Sequence, residues 1–309
     1  MPVIVPKNIP AHKELLAENV FVMNHFRATH QDIRALEILV LNLMPTKKDT
    51  ELQLMRLLSN TPLHVNITLL TTKSYQATHT SQNHLDNFYK TFGEIKNKKY
   101  DGMIITGAPV ETLAFEDVAY WEELKEIMDY SQKNVTSVFH ICWGAQAGLY
   151  HHYGIKKRAI DNKLFGIYDH TIHNPNNTLL KGFDDKFCAP HSRYTKNSLK
   201  DLSKSNTLEV LASSKEAGFL LAVSKDQKNV FCSGHLEYSK DTLHKEYLRD
   251  KEKGLDIRVP NNYYKDDDYN NPIESKWRSH AFLLFMNWLN YYVYQKTPYD
   301  LNKGDDLCK

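Results

Sequence analysis

Four apolar runs alternating with helices most constrain how this chain of 309 residues can fold. Each run is rich in β-branched or other apolar residues, which indicates a buried strand. The predicted strands are Leu36–Met44, Leu63–Thr71, Tyr100–Thr106 and Val135–Ile141. Apolar strands separated by helices form a parallel sheet that is covered on both faces. A ligand is then expected beyond the carboxyl ends of these strands.

The rest of the chain is expected to add an N-terminal arm that packs across the domain or a partner subunit, further strands and a C-terminal helix. Residues 1–33 are predicted to form an arm with a short helix at Ala11–Asn19, residues 34–297 a single α/β domain, and residues 298–309 a tail. Paired strands are predicted within Ala159–Ile172, around an Asn162-Lys163 turn. Helices are expected around Thr46–Leu58, with Thr46 as N-cap, and around His84–Lys96. Later strands are predicted at Leu208–Ala212, Gly218–Val223 and Val230–Ser233, followed by a helix at Asp241–Gly254, a loop at Leu255–Pro272 and a C-terminal helix from Trp277 to Leu289.

Composition narrows the class of protein. With 39 basic and 37 acidic side chains the net charge is +2, which gives no reason to expect nucleic acid or a membrane surface as partner. No apolar run has the length of a membrane span, and the N-terminus lacks the order of a signal peptide. The four cysteines show no CxxC spacing, so neither a zinc site nor a disulfide framework is expected. A reduced, cytoplasmic setting is predicted.

A metal site is not expected either. Several histidines are candidates, but none has HxxxH or HxH spacing with carboxylate support. These are His140, His151, His152, His170, His173 and His191. There is also no glycine-rich phosphate loop, and no cofactor is predicted.

The segment VTSVFHICWGAQAG, residues 135–148, points to chemistry. A strand ends at Cys142, and small residues then let the chain turn into a helix, which is typical of a nucleophile elbow. The amides at the start of that helix favour a thiolate and can stabilise an oxyanion. The Trp143 amide is the expected oxyanion donor, and we place a second at Ala108. The alternative is a buried structural cysteine.

A second motif, SGHLE at residues 233–237, supplies a base. If this segment is extended, His235 and Glu237 point to one side, so that the carboxylate can orient the imidazole. A histidine on a strand is more often a structural hydrogen-bonding group, and HxE alone is a weak signal. Together with Cys142 the motif predicts a Cys–His–Glu triad.

These motifs resemble the homoserine O-acyltransferases of methionine biosynthesis, of the MetA type. The matching segments are LVLNLMPTK at 39–47, ITGAPVE at 105–111, DVAYW at 117–121, FHICWGAQAGLYHHYG at 139–154, LFGIYDH at 164–170, APHSRYT at 189–195 and GHLEY at 234–238. The resemblance implies a flavodoxin-like, doubly wound parallel sheet of the class I glutamine amidotransferase type, here with additional strands and a C-terminal helix. It also implies a homodimer.

The same resemblance implies roles for individual residues. Cys142 would accept the acyl group, His235 would be the general base, and Glu237 would orient it. The family's amino-acid site falls on Lys163, Ser192 and Arg249. By themselves Lys163 and Ser192 would be an ordinary turn lysine and loop hydroxyl.

The substrates are expected to be acetyl-CoA and L-homoserine, joined through a Cys142 thioester. Arg249 can hold the carboxylate of homoserine with a bidentate fork, and Glu246 could meet its ammonium. The alternative for this pair is an exposed salt bridge between residues three apart.

Glu111 is the residue expected to decide which acyl group is transferred. In the family, glutamate at this site goes with acetyl-CoA and glycine with succinyl-CoA. A carboxylate here would fill space and repel a succinyl carboxylate, so acetyl transfer is predicted. Without the resemblance, Glu111 would be a surface glutamate on a loop.

Three rival functions stay open from the sequence. One is the same reaction with succinyl-CoA, and another is glutamine amide hydrolysis by the same triad. The third is a regulatory or scaffold protein in which the triad is inactive.

Overall fold

The computed structural model describes residues 3–18, 22–23, 34–74 and 80–297, and within these ranges one twelve-stranded sheet organises the chain. The strands are β1 (Val3–Ile4), β2 (Val22–Met23), β3 (Leu36–Leu41), β4 (Val65–Leu70), β5 (Tyr89–Lys90), β6 (Tyr100–Ile105), β7 (Val135–Ile141), β8 (Lys157–Ile172), β9 (Lys186–Asn197), β10 (Leu208–Ser214), β11 (Gly218–Ser224) and β12 (Asn229–Cys232). The helices are α1 (Pro10–Ala17), α2 (Lys47–Leu58), α3 (Gln82–Phe88), α4 (Phe92–Ile95), α5 (Trp121–Asn134), α6 (Trp143–Tyr153), α7 (Leu199–Lys204), α8 (Thr242–Glu252) and α9 (Arg278–Asn287), which a π-helix at Trp288–Tyr294 continues. Short 3₁₀ helices span Thr178–Leu180 and Lys265–Asp267.

The central part of the sheet is parallel. Strands β4, β3, β6, β7 and β12 lie side by side in that order, and each neighbouring pair is parallel. Numbered by their sequence, these five strands have the order 2-1-3-4-5 of a flavodoxin-like sheet. The expected doubly wound, flavodoxin-like parallel sheet is therefore confirmed. The described part of the N-terminal arm joins this sheet, because β1 pairs with both β4 and β2.

Helices cover both faces of the parallel part, as its apolar strands predict. Leu39 and Met103 pack with Leu124 of α5 on one face. Ile38 and Ile104 belong to the cluster on the opposite face, which includes residues of α2 and α9. Neighbouring residues of one strand thus point into different clusters, which explains why these runs are almost continuously apolar.

The other part of the sheet is antiparallel and runs β12, β11, β10, β8, β9. Here the predicted hairpin within Ala159–Ile172 is wrong, since this segment lies inside the single strand β8. Its pairing with β9 shifts between Ala159, opposite Thr195, and Leu164, opposite Arg193. The Asn162-Lys163 pair therefore lies in a bulge, where extra residues leave the ladder without reversing the chain.

One strand was missed, and two further expectations need correction. Strand β9 was not predicted, because its polar and apolar residues are mixed and do not form the apolar run that indicates a strand. Its pairing with β8 makes the segment a strand. The helix expected at His84–Lys96 is two short helices, because α3 ends at Phe88 and strand β5 separates it from α4. Thr91 then caps α4 in a capping box with Glu94. Thr46 stands at the N-cap of α2 but makes no capping hydrogen bond through its side chain.

The predicted tail, residues 298–309, lies outside the described residues. In the part of the chain that the structure describes, no helix has both the length and the apolar character to span a bilayer.

Gly166 ties the polar segment after α8 to the sheet. Its φ of +141° disfavours other residues, and an added Cβ would lie 2.3 Å from the carbonyl oxygen of Asn261. We expect Gly166→Ala to lower the free energy of unfolding by about 2 kcal/mol or more, measured by urea denaturation. Gly93→Ala is the matched control, because nothing lies within 4 Å of its added Cβ. Equal urea midpoints for the two variants would contradict this account.

Candidate active site

Cys142 lies at a strained corner between β7 and α6. Its φ of +48° and ψ of −111° are rare for a residue with a side chain. The Cys142 N–H donates to the Cys232 carbonyl at 2.7 Å, and the Cys142 carbonyl accepts from Gln146 N–H at 3.1 Å. The corner thus has the geometry of a nucleophile elbow, as the sequence predicts.

Two glycines let the chain pack closely around this corner. A Cβ on Gly144 would lie 2.6 Å from the carbonyl oxygen of Thr106, so α6 begins directly against the end of β6. A Cβ on Gly107 would lie 3.4 Å from the Cys142 Cβ and 3.6 Å from the His235 Cε1. The loop after β6 therefore faces both the thiol and the imidazole, where a reacting carbonyl would have to sit.

His235 and Glu237 form a buried pair. The His235 Nδ1 lies 2.7 Å from the Glu237 Oε1, and both side chains are less than a tenth exposed. The segment turns after β12 instead of continuing as an extended strand, so that part of the prediction is wrong. Tyr238 stacks on the imidazole with ring centroids 4.1 Å apart, which together with Glu237 fixes the ring's orientation.

The electrostatics favour a protonated imidazole. Burial alone would lower the pKa of His235, but the charges of Cys142 and Glu237 and the hydrogen bonds to both raise it well above its usual value. An imidazolium beside a sulfur atom is the arrangement that promotes a nucleophilic thiolate. The three predicted triad residues are therefore in one contiguous group.

The expected oxyanion donors lie at the same edge of the sheet. Trp143 is the first residue of α6, so its N–H has no carbonyl partner within the helix. Ala108 is buried in the loop after β6, next to Gly107. Their roles as donors stay predictions.

The residues predicted to bind the amino acid also converge, although they come from distant parts of the chain. The Lys163 Nζ, from the β8 bulge, lies 2.8 Å from the Glu246 Oε1 on α8. The Ser192 hydroxyl of β9 donates to the same oxygen at 2.5 Å. The Arg249 Nη2 lies 3.6 Å from this Glu246 oxygen. The β8 bulge is thus what brings Lys163 to α8.

Asp250 belongs to this group, and sequence reasoning missed it. Its Oδ2 lies 2.9 Å from the Lys163 Nζ, while its Oδ1 accepts from the Arg249 Nε and Nη2 at 2.8 and 2.6 Å. The Arg249 fork that was expected to meet a substrate carboxylate therefore already holds an internal one. The one available signal was the position of Asp250 one helical turn after Glu246, on the same helix.

A cleft of about 410 Å³ opens beside this group, lined among others by Tyr238, Glu246 and Arg249. A neighbouring cleft of about 530 Å³ is lined by Arg56, Glu237, Lys240 and Arg278, among others, and shares Arg56 and Tyr238 with the first. Space for a substrate therefore borders both Glu237 of the triad and the amino-acid group.

Glu111 lies half-buried in the loop that follows Gly107. The Lys157 ammonium donates to its backbone carbonyl. Burial lowers the pKa of Lys157, while the nearby Glu111 and Glu116 charges oppose that shift. Pro109 and Val110, just before Glu111, line a small pocket. The role of Glu111 in acyl choice stays a prediction.

One pair of candidate histidines lies beside a carboxylate, although its spacing is neither HxxxH nor HxH. His151 does have carboxylate support, since its Nε2 lies 2.7 Å from the Asp129 Oδ1. With His152 these residues place three possible metal-ligand atoms within 4.8 Å of one another. The sequence could not show this, because Asp129 lies on α5 and both histidines lie on α6.

Sequence comparison finds relatives over almost the whole chain. A family model described as homoserine O-succinyltransferase matches residues 2–299. A homoserine O-acetyltransferase 1 of Ilyobacter polytropus is 57% identical over 97% of this chain and 100% of that protein. A homoserine O-acetyltransferase of Bacillus cereus is 56% identical over the same shares. One of Acetivibrio thermocellus is 55% identical over 98% of this chain and 99% of that protein.

Solved structures are similar in fold. A glutamine amidotransferase of Thermotoga maritima superposes with a TM-score of 0.57 at 12% identity, covering 84% of this chain and 99% of that one. A glutamine amido transferase of Methylobacillus flagellatus gives a TM-score of 0.54 at 12% identity, over 87% of this chain and 98% of that one. At this identity the likeness concerns the fold alone.

The Asp250 ion pairs predict a pH-dependent stability. Burial tends to raise the pKa of Asp250, but its hydrogen bonds with Lys163 and Arg249 and their charges lower it below its usual value. The carboxylate then stabilises the fold above the pKa of the unfolded chain, and this is lost as pH falls through the lower, folded value. We expect Asp250→Asn to cost about 1–3 kcal/mol near neutral pH and much less in acid, measured by urea denaturation at several pH values.

Asp241→Asn is the matched control at the start of the same helix, where Asp241 is the N-cap residue. Asp241 pairs with Lys245, and the two side chains are 49% and 70% exposed, so its loss should cost less than about 1 kcal/mol. A difference between Asp250→Asn and the unaltered protein that stays constant with pH would rule out the ionic explanation.

Proposed function

Since the chain belongs to the homoserine O-succinyltransferase family, we propose that it transfers the acetyl group of acetyl-CoA to the hydroxyl of L-homoserine. The products are CoA and O-acetyl-L-homoserine, and the second of these would serve methionine biosynthesis. The observation that carries this proposal is the buried His235–Glu237 pair beside Cys142, in a chain that is 55–57% identical to proteins named homoserine O-acetyltransferase.

In the first half-reaction, His235 takes the proton of the Cys142 thiol, and the thiolate attacks the acetyl carbonyl of acetyl-CoA. The negative oxygen that forms is held by the amides of Trp143 and Ala108. When the intermediate collapses, the bond to the CoA sulfur breaks and His235 returns the proton to that sulfur. Cys142 is left as an acetyl thioester.

In the second half-reaction, His235 removes the proton of the homoserine hydroxyl, and the oxygen attacks the thioester. When the second intermediate collapses, the bond to the Cys142 sulfur breaks, the ester is released, and His235 returns its proton to Cys142. Glu237 keeps the imidazole oriented through both steps, supported by its 2.7 Å contact with Nδ1.

The amino-acid group offers partners for both charges of homoserine. The Nε and Nη2 of Arg249 already bind Asp250, but its side chain is 55% exposed, and we assign its remaining N–H donors to the homoserine carboxylate. Glu246 takes the ammonium. Lys163 and Ser192 hold Glu246 in place. No cofactor beyond the co-substrate acetyl-CoA is part of this proposal. A cytoplasmic location and a homodimer remain expectations.

The second candidate is succinyl transfer, because the matching family model carries that description. The relatives that are 56–57% identical to this chain are named homoserine O-acetyltransferase. Glu111 also fits this choice, because its carboxylate would repel the free carboxylate of a succinyl group. Acetyl transfer is therefore the preferred proposal.

A thiol-release assay tests the reaction. We expect release of CoA from acetyl-CoA that depends on homoserine, and a fall of at least about 10³-fold in Cys142→Ala, because the thioester can no longer form. Cys188→Ala is the control, since Cys188 lies half-buried on β9 and its thiol donates to Asp169 instead of to a triad residue. Turnover that survives Cys142→Ala contradicts the thioester route. Ammonia release from glutamine without CoA release would favour amide hydrolysis, and no reaction with either would favour an inactive triad.

The acyl preference has its own test. In Glu111→Gly, loss of the carboxylate should raise the rate with succinyl-CoA relative to acetyl-CoA by at least about 10-fold, a change of about 1.4 kcal/mol in discrimination. Rates with the two donors at equal concentration give the ratio. Glu116→Gln is the control. Glu116 lies in the same loop as Glu111, but its carboxylate accepts a hydrogen bond from the Tyr150 hydroxyl of α6, so the ratio should not change. An unchanged ratio, or an unaltered protein that prefers succinyl-CoA, would refute the role given to Glu111.

A further inference from the structure

Arg193 is a buried cation that forms no ion pair with a carboxylate among the described residues. The residue lies on β9 and is 2% exposed. Its guanidinium donates to the carbonyl oxygens of Thr195 at 2.8 Å and Ala217 at 2.5 Å, and its Nε is buried without a partner. Across the described ranges, no carboxylate lies within ion-pair distance of it. Burying a charge is costly unless an opposite charge compensates it.

The position of Arg193 on β9 points it toward the triad. His191, Arg193 and Thr195 alternate along the strand and are all buried, so they share one face of the sheet. The Thr195 hydroxyl donates to the Gln146 Oε1 at 2.9 Å, in the first turn of α6 after Cys142.

The other neighbour of Arg193 on that face contacts the second half of the triad. A Cβ on Gly234, the residue before His235, would lie 3.1 Å from the His191 Cε1. Arg193 thus stands between one residue that contacts the Cys142 helix and another that contacts the His235 segment.

Outside the triad, three buried titratable groups around Arg193 are neutral: His191, His170 and Tyr168. Burial, together with the Arg193 charge, lowers the pKa of His191 well below its usual value and that of His170 to about 4. The two imidazoles share a hydrogen bond at 3.1 Å. Burial raises the pKa of Tyr168, which keeps its phenol protonated. Cys142 is then the group near Arg193, among the described residues, that becomes an anion during the reaction.

We propose that Arg193 is a positioning residue that supplies the fixed positive charge opposite the Cys142 thiolate. It acts through its field and not by contact with substrate, and this proposal rests on the nucleophilic role given to Cys142. The proton of Cys142 moves to His235 while Arg193 stays protonated throughout, so the step is balanced without a further reactant. His235 and Arg193 then stabilise the thiolate together before acetyl-CoA reacts.

Alkylation of Cys142 tests this without either substrate. The rate of labelling by iodoacetamide, an uncharged reagent, is followed by mass spectrometry of the Cys142 peptide across pH. In Arg193→Gln we expect labelling at about pH 6.5 to slow at least about 10-fold, with the difference shrinking toward about pH 9, where the thiol ionises without help. Arg193→Lys keeps the charge and should stay within about 3-fold of the unaltered protein.

Arg158→Gln is the matched control. Arg158 lies on the neighbouring strand β8 and pairs with Asp201, with 64% of its side chain exposed, so labelling should not change. A rate in Arg193→Gln equal to that of the unaltered protein, or slowed by the same factor at every pH, would overturn the proposal in favour of a structural role for Arg193.

If near-ultraviolet circular dichroism shows that Arg193→Gln does not fold, Arg193→Lys decides. Labelling of this variant with the pH dependence of the unaltered protein supports the charge assignment, and a loss of that dependence overturns it. Because the assay needs neither acetyl-CoA nor homoserine, its outcome is separate from failure of the proposed transferase reaction.

Discussion

The corner at Cys142 is the constraint on which the rest of the site depends. A residue with a side chain at φ +48° costs of order 1–3 kcal/mol, and it persists when its surroundings leave no alternative. Here the parallel pairing of β7 with β12 supplies the Cys232 carbonyl that holds the Cys142 amide. The same pairing brings the segment after β12 beside the segment after β7. The pairing of β7 with β12 therefore holds Cys142 in its strained conformation and also brings His235 close to it.

Charge is arranged in two separate groups around the clefts. Lys163 and Arg249 face Glu246 and Asp250, so two positive and two negative charges balance. An amino acid adds one charge of each sign and preserves this balance, whereas a simple acid or amine would not.

The triad group differs, since Glu237 is the one carboxylate in contact with its imidazole among the described residues. Chemistry there creates and removes a negative charge at Cys142, and a compensating cation nearby is consistent with that cycle. The antiparallel half of the sheet contributes to both groups through β8 and β9, so it is part of the site as well as of the fold.

The sequence by itself determined the apolar strands of the parallel half, the elbow at Cys142 and the neighbouring His235 and Glu237, because each depends on residues close together in the chain. Apolar runs such as Tyr100–Ile105 require burial on both faces whatever surrounds them. The tertiary structure alone decided that β8 is continuous, that β9 exists, and that Asp250 and Arg193 belong near the site. Those facts depend on partners far away in sequence, such as Thr195 opposite Ala159 and Lys163 beside Asp250. Local propensity carries no information about such pairings, since the energy that selects them appears only when the two segments meet.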